Sequence, residues 1–460
     1  MNPLYNAMPV FAQNWAWTLA GLRRSRSLYP RVFQRTLEEY ERTVNEPIEV
    51  HHARQWKMLK HLIERARTHV PYYRFLPPVE ERSDPYESIQ RTLANIPPLE
   101  KSVYRARPRD FRADDIPGVR LTEYSTSGTT GTPLPVWITS ERMAEYAAAC
   151  WRMYRQAGVD LRDPWIQFPG RPILPYRQKR PPFYRVDSHE RRTLFSIFHM
   201  SPANLPSYVD ALHTVPASYV QGYPSALHLV GRALLECGRP LPVGRLKAVF
   251  TSSESLLAYH RETIEKAFGA PVRDHYAATE KVVSMTSCPL NRLHLDMEFG
   301  IVEVEPAEET DEYVRGQLVV TGLGNPATPF IRYRIGDVGA RAKKPCECGR
   351  PGDVFLDLDG RIEDYVLTRD GRLVGRLDHV FKEIYEIEEA QIIQHEDGRL
   401  EIAVVAAPEF GDTGHRRLLK AVHSRLGADM SVDIRRVPSI PREPNGKFRA
   451  VISKIEKAQA

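Results

Sequence analysis

Hydrophobic and polar positions follow a helical rhythm in the first part of the chain. Up to about residue 115, apolar residues recur every three or four positions, as they do on one face of an α-helix. Between His51 and Thr68, the residues on that face are Trp56, Leu59, Leu62, Ile63 and Ala66. We therefore predict that residues 1–115 are mainly helical and that this apolar face lies in a core.

From Pro202 onward, short apolar runs alternate with helical patterns. Helices are predicted at 203–213, 224–237 and 258–268, and strands at 218–222, 246–252 and 271–276. A further helix is predicted from a cap at Ser140 to Gly158. Alternation with short connections favours a mainly parallel sheet covered by helices. Ligands of such sheets lie at the carboxyl ends of the strands.

Polar and aromatic residues follow each of the three predicted strands. The segments are Gly222-Tyr223-Pro224-Ser225, Thr251-Ser252-Ser253-Glu254 and Tyr276-Ala277-Ala278-Thr279-Glu280. Tyr276 offers a flat face on which a purine can stack. Thr279 can donate to a phosphate oxygen, and Glu280 can hold Mg²⁺, which prefers carboxylate and phosphate oxygens. Any one segment could be an ordinary strand-to-helix turn, but the three together predict one nucleotide-binding cleft.

Small hydroxyl residues and glycines stand between two apolar runs, 119–124 and 134–138, that read as strands. The residues are Ser127, Gly128, Thr129, Thr130 and Gly131. Uncovered glycine N–H groups and neighbouring hydroxyls can bind an anion. The segment is not a Walker A loop, because no lysine follows Gly131 and a strand comes next. We predict a phosphate-binding loop; the alternative is a hairpin turn without a chemical role.

Asp337 follows a glycine turn in Tyr333-Arg334-Ile335-Gly336-Asp337. A carboxylate at a strand end can accept two hydrogen bonds from a ribose diol, as acidic residues do in dinucleotide sites. The alternative is a surface turn.

The cysteines suggest a metal site. Cys288 and His294 are near one another, and Cys346 and Cys348 form a Cys-x-Cys-Gly knuckle. Three thiolates and an imidazole suit a closed, tetrahedral structural zinc. The two pairs meet only if segments 293–304 and 340–358 are neighbours. The alternative is four reduced side chains in turns.

Composition fits an enzyme with a large and a smaller domain. The chain has 460 residues, of which 42% are hydrophobic and 27% charged. Its net charge of +6 is spread along the chain, which does not favour nucleic-acid binding. Five cysteines do not predict a disulfide framework, so we expect a reducing, cytoplasmic location.

No signal peptide or membrane span is expected. The apolar run from Phe11 to Leu22 is too short to cross a bilayer. We predict that it forms a helix packed on its own domain. The alternative is that Trp15 and Trp17 contact a membrane surface.

In chain order, the motifs resemble those of the ANL superfamily of adenylate-forming enzymes. They are Ser127 to Gly131, Tyr276 to Glu280, Tyr333 to Asp337, Gly360 to Asp364, and Lys447. Within it they are most similar to the branch of phenylacetate–CoA ligase and coenzyme F390 synthetase, which includes capsule-locus ligase-like proteins. Some relatives in this branch carry zinc at a place like that of the cysteines.

The resemblance implies specific roles. Lys447, Glu280 and Thr279 would be catalytic, with Lys447 reaching the α-phosphate and the substrate carboxylate. The ATP or AMP site would comprise Ser127, Gly128, Thr129, Thr130, Gly131, Ser252, Ser253, Glu254, Tyr276, Ala277, Thr279, Asp337 and Arg361. The acid pocket would comprise Phe198, His199, Gly222, Tyr223 and Pro224. Glu363 would be the hinge residue.

The expected architecture is α/β. A large N-terminal domain, 1–360, would have helix-covered, mainly parallel sheets, and a small mobile α+β domain, 365–460, would carry Lys447 beyond a hinge at 361–364. Strands are expected at 400–406 and 432–437 and a helix at 415–426.

The resemblance implies that the enzyme uses ATP and Mg²⁺ to convert a small, aromatic or related acid into an acyl-adenylate. Transfer to coenzyme A is the default second step. The segment 365–375 departs from the Ile-x-x-Gly form that lines the family's pantetheine tunnel, so an amine or a carrier-protein thiol stays an alternative acceptor. An inactive nucleotide-binding partner is a further alternative. Whether the protein is a homodimer is left open.

Overall fold

The computed structural model describes residues 3–118, 121–125, 134–175, 177–201, 203–361, 366–369, 373–374, 377–381, 384, 386–442 and 448–455. The chain folds into two compact units. The first comprises Met1–Leu256 and Arg261–Leu358, and the second Leu257–His260 and Asp359–Ala460.

Helices fill the first part of the chain and then alternate with strands. They are α1 (Pro3–Ala7), α2 (Val10–Leu28), α3 (Arg31–Thr43), α4 (Ile48–His69), α5 (Pro85–Ala94), α6 (Lys101–Ala106), α7 (Ser140–Gln156), α8 (Leu205–Thr214), α9 (Pro224–Glu236), α10 (Ala258–Phe268) and α11 (Asp412–Leu426). The prediction of a mainly helical start is confirmed, and the predicted apolar face of α4 is buried. The predicted cap of α7 is wrong by one residue, because the Thr139 side chain, not that of Ser140, accepts from Arg142 N.

The strands of the first unit are β1 (Leu121–Ser125), β2 (Pro135–Thr139), β3 (Trp165–Phe168), β4 (Tyr184–Asp187), β5 (Arg192–Phe195), β6 (Tyr219–Gly222), β7 (Ala248–Ser252), β8 (Val272–Ala277), β9 (Ser284–Ser287), β10 (Leu293–Leu295), β11 (Gly300–Glu309), β12 (Tyr313–Gly322), β13 (Tyr333–Ala342) and β14 (Val354–Arg361). β1 and β2 form an antiparallel hairpin. The other strands form one sheet of 12 strands in the order β11-β12-β13-β14-β10-β9-β8-β7-β6-β3-β5-β4.

The strand pairing in the large sheet changes from parallel to antiparallel at β8. Strands β5, β3, β6, β7 and β8 are parallel, as predicted from the alternation of strands and helices. From β8 to β9 the pairing becomes antiparallel. The expectation of a mainly parallel sheet therefore holds only for the five strands β5, β3, β6, β7 and β8. The part of the sheet from β9 to β11 includes long antiparallel hairpins such as β11–β12, which need no crossover helix.

Helix α2 covers the last strand in the sheet order, β4. Asn14 Oδ1 accepts a hydrogen bond from Val186 N at 3.0 Å, and Thr18 Oγ1 accepts one from Ser188 N at 3.1 Å. These side chains satisfy N–H groups at an edge that would otherwise be open to another strand. Trp17 packs against the core of the parallel half, so the predicted packing of this helix on its own domain is confirmed for this face.

The second unit has its own sheet and core. Its strands are β15 (Val366–Leu367), β16 (Leu373–Val374), β17 (Ile387–Gln394), β18 (Leu400–Ala406), β19 (Val432–Arg436) and β20 (Val451–Ser453). β19-β18-β17-β20 form a four-stranded sheet. Side chains from this sheet and from α11 build a separate apolar cluster that includes Ile402, Val404 and Leu418. The predicted strands 400–406 and 432–437 and helix 415–426 are confirmed within a few residues.

Candidate active site

Three parallel strands bring the predicted site segments to one edge of the sheet. Gly222 at the end of β6 lies opposite Thr251 on β7, and Ser252 at the end of β7 lies opposite His275 on β8. Tyr223, Ser252 and Tyr276 therefore leave the sheet at neighbouring strand ends. In open α/β sheets, ligands bind in the crevice at the carboxyl ends of parallel strands, so this edge is suited to a ligand.

Tyr276 and Asp337 meet at this edge. The Tyr276 hydroxyl donates to Asp337 Oδ2 at 2.5 Å, although the residues are 61 positions apart. Both side chains are partly exposed. Asp337 lies on β13 directly after Gly336, whose φ of +88° is one that few residues other than glycine adopt. The predicted purine-stacking and ribose-binding residues are thus in direct contact.

The turn between β8 and β9 carries Thr279 and Glu280. Thr279 is partly exposed, whereas Glu280 is only 5% exposed and lies 3.4 Å from the Tyr333 hydroxyl. The buried Arg142 donates to Lys281 O at 3.0 Å and to Phe299 O at 2.9 Å. The backbone of Lys281 has a φ of +57°, which residues other than glycine rarely adopt. The hydrogen bond from Arg142 to Lys281 O stabilises this conformation.

Residues Ser127 to Gly131 lie outside the described residues, but the strands on either side of them are described. The Tyr104 hydroxyl donates to Pro135 O, at the start of β2, at 2.5 Å. Burial, and then the nearby Glu280 and Glu123 carboxylates, raise the pKa of Tyr104. Tyr104 thus contacts the β1–β2 hairpin and is near Glu280. The hairpin and Glu280 are expected to be neighbours if both contribute to one nucleotide site.

Glu254 connects the end of β7 to the start of α9. Its carboxylate accepts from Ser225 N at 3.0 Å and from Ser225 Oγ at 3.1 Å. Ser253, which stands between Ser252 and Glu254 in the chain, is exposed and has a φ of +71°. The predicted adenine-bordering segment is thus fixed through Glu254, while Ser252 and Ser253 form the more accessible part.

Two glycines allow close packing beside the residues of the predicted acid pocket. A Cβ at Gly170 would lie 1.8 Å from the Tyr223 hydroxyl, and one at Gly222 would lie 2.9 Å from Phe168 Cβ. Tyr223 itself precedes the buried Pro224 at the start of α9. The phenol of Tyr223 is therefore held against a stretch of backbone with no side chain.

His199 is engaged by the protein on both sides of its ring. Nδ1 lies 2.7 Å from Ser196 Oγ, and Nε2 lies 3.2 Å from Pro175 O. The ring also stacks on Phe183. Phe198, next to it, is partly exposed. These contacts give His199 a structural role in shaping this part of the sheet edge.

Several predicted site residues fall outside the part of the chain that the structure describes. They are the loop residues Ser127, Gly128, Thr129, Thr130 and Gly131, the hinge residue Glu363, and Lys447. Of Arg361 only the backbone, at the end of β14, is described. Their roles stay predictions.

The four predicted metal ligands converge. One ligand atom from each of Cys288, His294, Cys346 and Cys348 lies within 4.8 Å of all the others. Cys348 Sγ is 3.3 Å from His294 Nε2, and Cys288 Sγ is 3.9 Å from Cys346 Sγ. The predicted neighbourhood of the two segments is confirmed, because β10 pairs with β14.

The donor set fits zinc. Burial, and then Arg350, lower the pKa of His294 to about 4, so its imidazole is neutral and able to ligate. Three sulfurs and one nitrogen leave no open position in a tetrahedral site, which is typical of structural zinc.

A buried ionic network adjoins these ligands. Asp296 accepts from Arg152 Nη2 at 2.5 Å and from Arg350 Nη2 at 2.7 Å. It also accepts from Ser284 Oγ at 2.6 Å, and Ser284 Oγ lies 3.1 Å from His275 Nε2. Because Arg350 follows Cys348 and His275 precedes Tyr276, hydrogen bonds connect the cysteine knuckle to the strand that carries the candidate site.

Three contributors to the site were not given a role by the sequence analysis. They are Tyr333, Arg142 and Ser225, which contact Glu280, Lys281 O and Glu254 respectively. Tyr333 belongs to the Tyr333–Asp337 motif, so its place in that motif was a usable signal. Arg142 carried no such signal, since its partner lies 139 positions away.

Two sequence comparisons find similarity to proteins named CapK. A sequence profile of the CapK C-terminal domain matches residues 366–454. The Staphylococcus aureus protein named CapK is 25% identical over 343 residues, which cover 73% of this chain and 75% of that protein.

Solved structures of adenylate-forming ligases share the fold. A 2-hydroxyisobutyryl-CoA ligase in its postadenylation state, in complex with R3-HIB-AMP, is 20% identical with a TM-score of 0.69 and covers 90% of this chain and 91% of its own. ATP-bound MatB from Rhodopseudomonas palustris is 17% identical with a TM-score of 0.50 and covers 74% of this chain and 68% of its own.

Among the described helices, none combines the length and the apolar character that a membrane crossing requires.

Proposed function

We propose that this chain, which has the fold of the ANL superfamily of adenylate-forming enzymes, joins a carboxylic acid to the α-phosphate of ATP and releases pyrophosphate. The observation that carries the proposal is the contact between Tyr276 and Asp337 beside the Glu280 turn. It supports a single adenosine site, because an aromatic face and a carboxylate suited to bind ribose come from distant segments and are in contact.

In the proposed step, a carboxylate oxygen of the substrate attacks the α-phosphorus. The bond from that phosphorus to the bridging oxygen breaks, and pyrophosphate leaves with the electron pair. No side-chain nucleophile is needed. Two like charges about 4 Å apart repel by about 4 kcal/mol at an effective dielectric constant of 20, so the site must offset this repulsion.

The chain supplies groups suited to this task. The loop from Ser127 to Gly131 would hold phosphate oxygens, and Lys447 would place its cation between the α-phosphate and the carboxylate. Glu280 and Thr279 would hold Mg²⁺ and a phosphate oxygen. The bound metal would neutralise phosphate charge. Asp337 would accept from the ribose hydroxyls, oriented by the hydrogen bond from Tyr276.

The second step that we propose is transfer of the acyl group to coenzyme A. The thiol sulfur attacks the acyl carbonyl carbon, the bond to the phosphate oxygen breaks, and AMP leaves. The sheet edge near Tyr223 and Phe198 would receive a small, aromatic or related acid. A different acceptor, such as an amine or a carrier-protein thiol, would use the same first step.

Zinc is the second part of the proposal. Cys288, His294, Cys346 and Cys348 would bind it as a brace, and the hydrogen bonds through Arg350 and Asp296 would connect that brace to β8.

The first step is tested by acid-dependent exchange of labelled pyrophosphate into ATP, with a panel of aromatic acids and amino acids. We expect exchange with at least one acid and a loss of about a hundredfold or more in Lys447→Ala and Glu280→Gln. Glu312→Gln, on the exposed tip between β11 and β12, is the matched control and should retain exchange. Absence of exchange with every acid would favour an inactive nucleotide-binding protein.

The acceptor is tested on the acid that supports exchange. Formation of a CoA thioester, detected by mass, is the expected outcome. Product with an amine or a carrier protein but not with CoA would replace the second step and leave the first intact.

A further inference from the structure

The outward face of α2 is an exposed apolar ridge. Phe11 is 68% exposed, Trp15 67% and Leu19 55%, and their spacing of four residues places them on one side of the helix. Leu4 and Met8, just before this helix, are also exposed, at 71% and 38%. A contiguous apolar surface of this kind marks an interaction site on a folded protein.

The orientation of the ridge is fixed by other side chains of the same helix. Asn14 and Thr18 bond the edge of β4, and the Trp17 indole N–H donates to the Tyr5 hydroxyl at 2.7 Å. A Cβ at Gly21 would lie 2.3 Å from the Asp187 carboxylate, so the helix lies directly on this strand. The ridge therefore cannot turn inward without breaking these bonds.

Every charged residue in the first 37 positions of the chain, which include the ridge, is an arginine. The chain contains no acidic residue before Glu38, whereas Arg23, Arg24, Arg26, Arg31 and Arg35 fall in this stretch. Arg24 pairs with Glu190. Arg23 and Arg26 are exposed at the end of α2, and Arg31 and Arg35 are exposed on α3.

A second group of exposed cations lies near the other end of α2. It comprises Arg177, Lys179 and Arg180. The buried Arg185 connects this segment to the helix, because it donates to Gln178 Oε1 at 2.9 Å and to Gln13 Oε1 at 2.5 Å. The apolar ridge thus has cationic groups near both of its ends.

We propose that this surface docks on an anionic lipid bilayer, with Phe11, Trp15 and Leu19 in the headgroup boundary and the arginines near lipid phosphates. An interfacial helix has this arrangement of an apolar face with a central tryptophan and cationic flanks. Anionic headgroups attract exposed arginines, and tryptophan favours the boundary between headgroups and acyl chains.

A second copy of the chain fits the same surface less well. If two α2 helices crossed antiparallel at Trp15, Arg23 and Arg26 of each would face the apolar start of the other. No acidic residue of that segment would compensate them, since the first is Glu38. Burying unpaired cations opposes association, whereas an anionic bilayer neutralises them.

The test is co-sedimentation of the full chain with phosphatidylcholine vesicles prepared with and without phosphatidylglycerol. We expect binding to the anionic vesicles that weakens as salt is added. Phe11→Ser/Trp15→Ser/Leu19→Ser should reduce that binding about tenfold or more. Phe75→Ser/Val243→Ser, which removes two other exposed apolar side chains of 95% and 89% exposure, should not.

A second variant tests the charge separately. Arg23→Gln/Arg26→Gln should weaken binding to anionic vesicles and flatten its salt dependence, and it keeps the proposal testable if the triple variant does not fold. Pyrophosphate exchange in solution should be unchanged in all these variants. Absence of vesicle binding, or binding that survives the triple variant, would refute the proposal. So would a dimer in sedimentation velocity that the triple variant abolishes without any vesicle binding.

Discussion

At the scale of single residues, the candidate site depends on hydroxyl–carboxylate pairs. Tyr276 orients Asp337, and Tyr333 lies beside Glu280. In each pair the tyrosine fixes an acidic side chain that would contact the nucleotide or its metal. The acidic members were identified from the sequence by their chemistry, whereas the Tyr276–Asp337 contact depends on how β8 and β13 fold and was not predicted.

The first residue-scale prediction concerns Tyr276→Phe. Loss of a hydrogen bond to a charged group costs about 1.5–3 kcal/mol, so we expect KM for ATP to rise about ten- to a hundredfold while kcat changes less. Tyr313→Phe is the matched control, since Tyr313 donates to Glu308 on an exposed hairpin at 2.7 Å. Steady-state kinetics of both variants measure the effect. An equal rise in KM in both would mean that the Tyr276–Asp337 contact does not orient ATP.

The second residue-scale prediction concerns pH. Burial, opposed by Asp296 and reinforced by Lys281, lowers the pKa of His275 to about 4. The unfolded chain, with an ordinary histidine pKa near 6.5, binds this proton first, so folding stability falls as pH drops from about 6.5 to 4. The loss reaches about 3 kcal/mol.

Denaturant unfolding of wild type and His275→Gln at pH 7 and pH 5 measures this effect. The variant should lose less stability between these two pH values, although not none, because the pKa of His294 is lowered in the same direction. His61→Gln, at an exposed position, should behave as wild type. If His275→Gln loses as much stability as wild type between pH 7 and pH 5, His275 is not the source of the pH-dependent loss.

At the scale of elements, the turn between β8 and β9 stands where the sheet changes from parallel to antiparallel. Each element from 203 to 276 was predicted within two residues, because hydrophobic periodicity and short connections specify it locally. The antiparallel half was not predicted as a sheet. Of its pairings, only the neighbourhood of β10 and β14 was expected, because the predicted zinc site required it.

The element-scale prediction concerns the cysteine knuckle. We expect about one zinc per chain by elemental analysis and its loss in Cys346→Ser/Cys348→Ser. That variant should unfold at a temperature lower by several degrees, because β10 and β14 lose their shared ligand. Cys237→Ser, which replaces an exposed cysteine, is the control. A metal-free wild-type protein of unchanged stability would remove zinc from the proposal.

At the scale of the whole molecule, each unit has its own core. The apolar cluster that includes Ile402 draws only on residues of the second unit, and the cluster that includes Val249 only on residues of the first. The α/β class and a distinct C-terminal unit were both predictable from the sequence. The roles of Lys447 and Glu363 were inferred by resemblance alone and await direct tests.

We predict two calorimetric transitions that respond to different substitutions. Ile402→Ala, at a side chain with 0% exposure, should destabilise the second unit by about 3 kcal/mol and lower only one transition. Val249→Ala, also at 0% exposure, should lower the other. A single transition shifted by both variants would show instead that the units unfold cooperatively.

Helix α2 covers the edge strand β4, and this has a practical consequence for protein production. A shortened chain that begins after Tyr29 would keep the apolar core but would leave Val186 N and Ser188 N without their side-chain acceptors. Such an open strand can pair with the same strand of another molecule and nucleate aggregates. Work on this chain should therefore replace single side chains on the outer surface of the helix and should not trim the terminus that contains it.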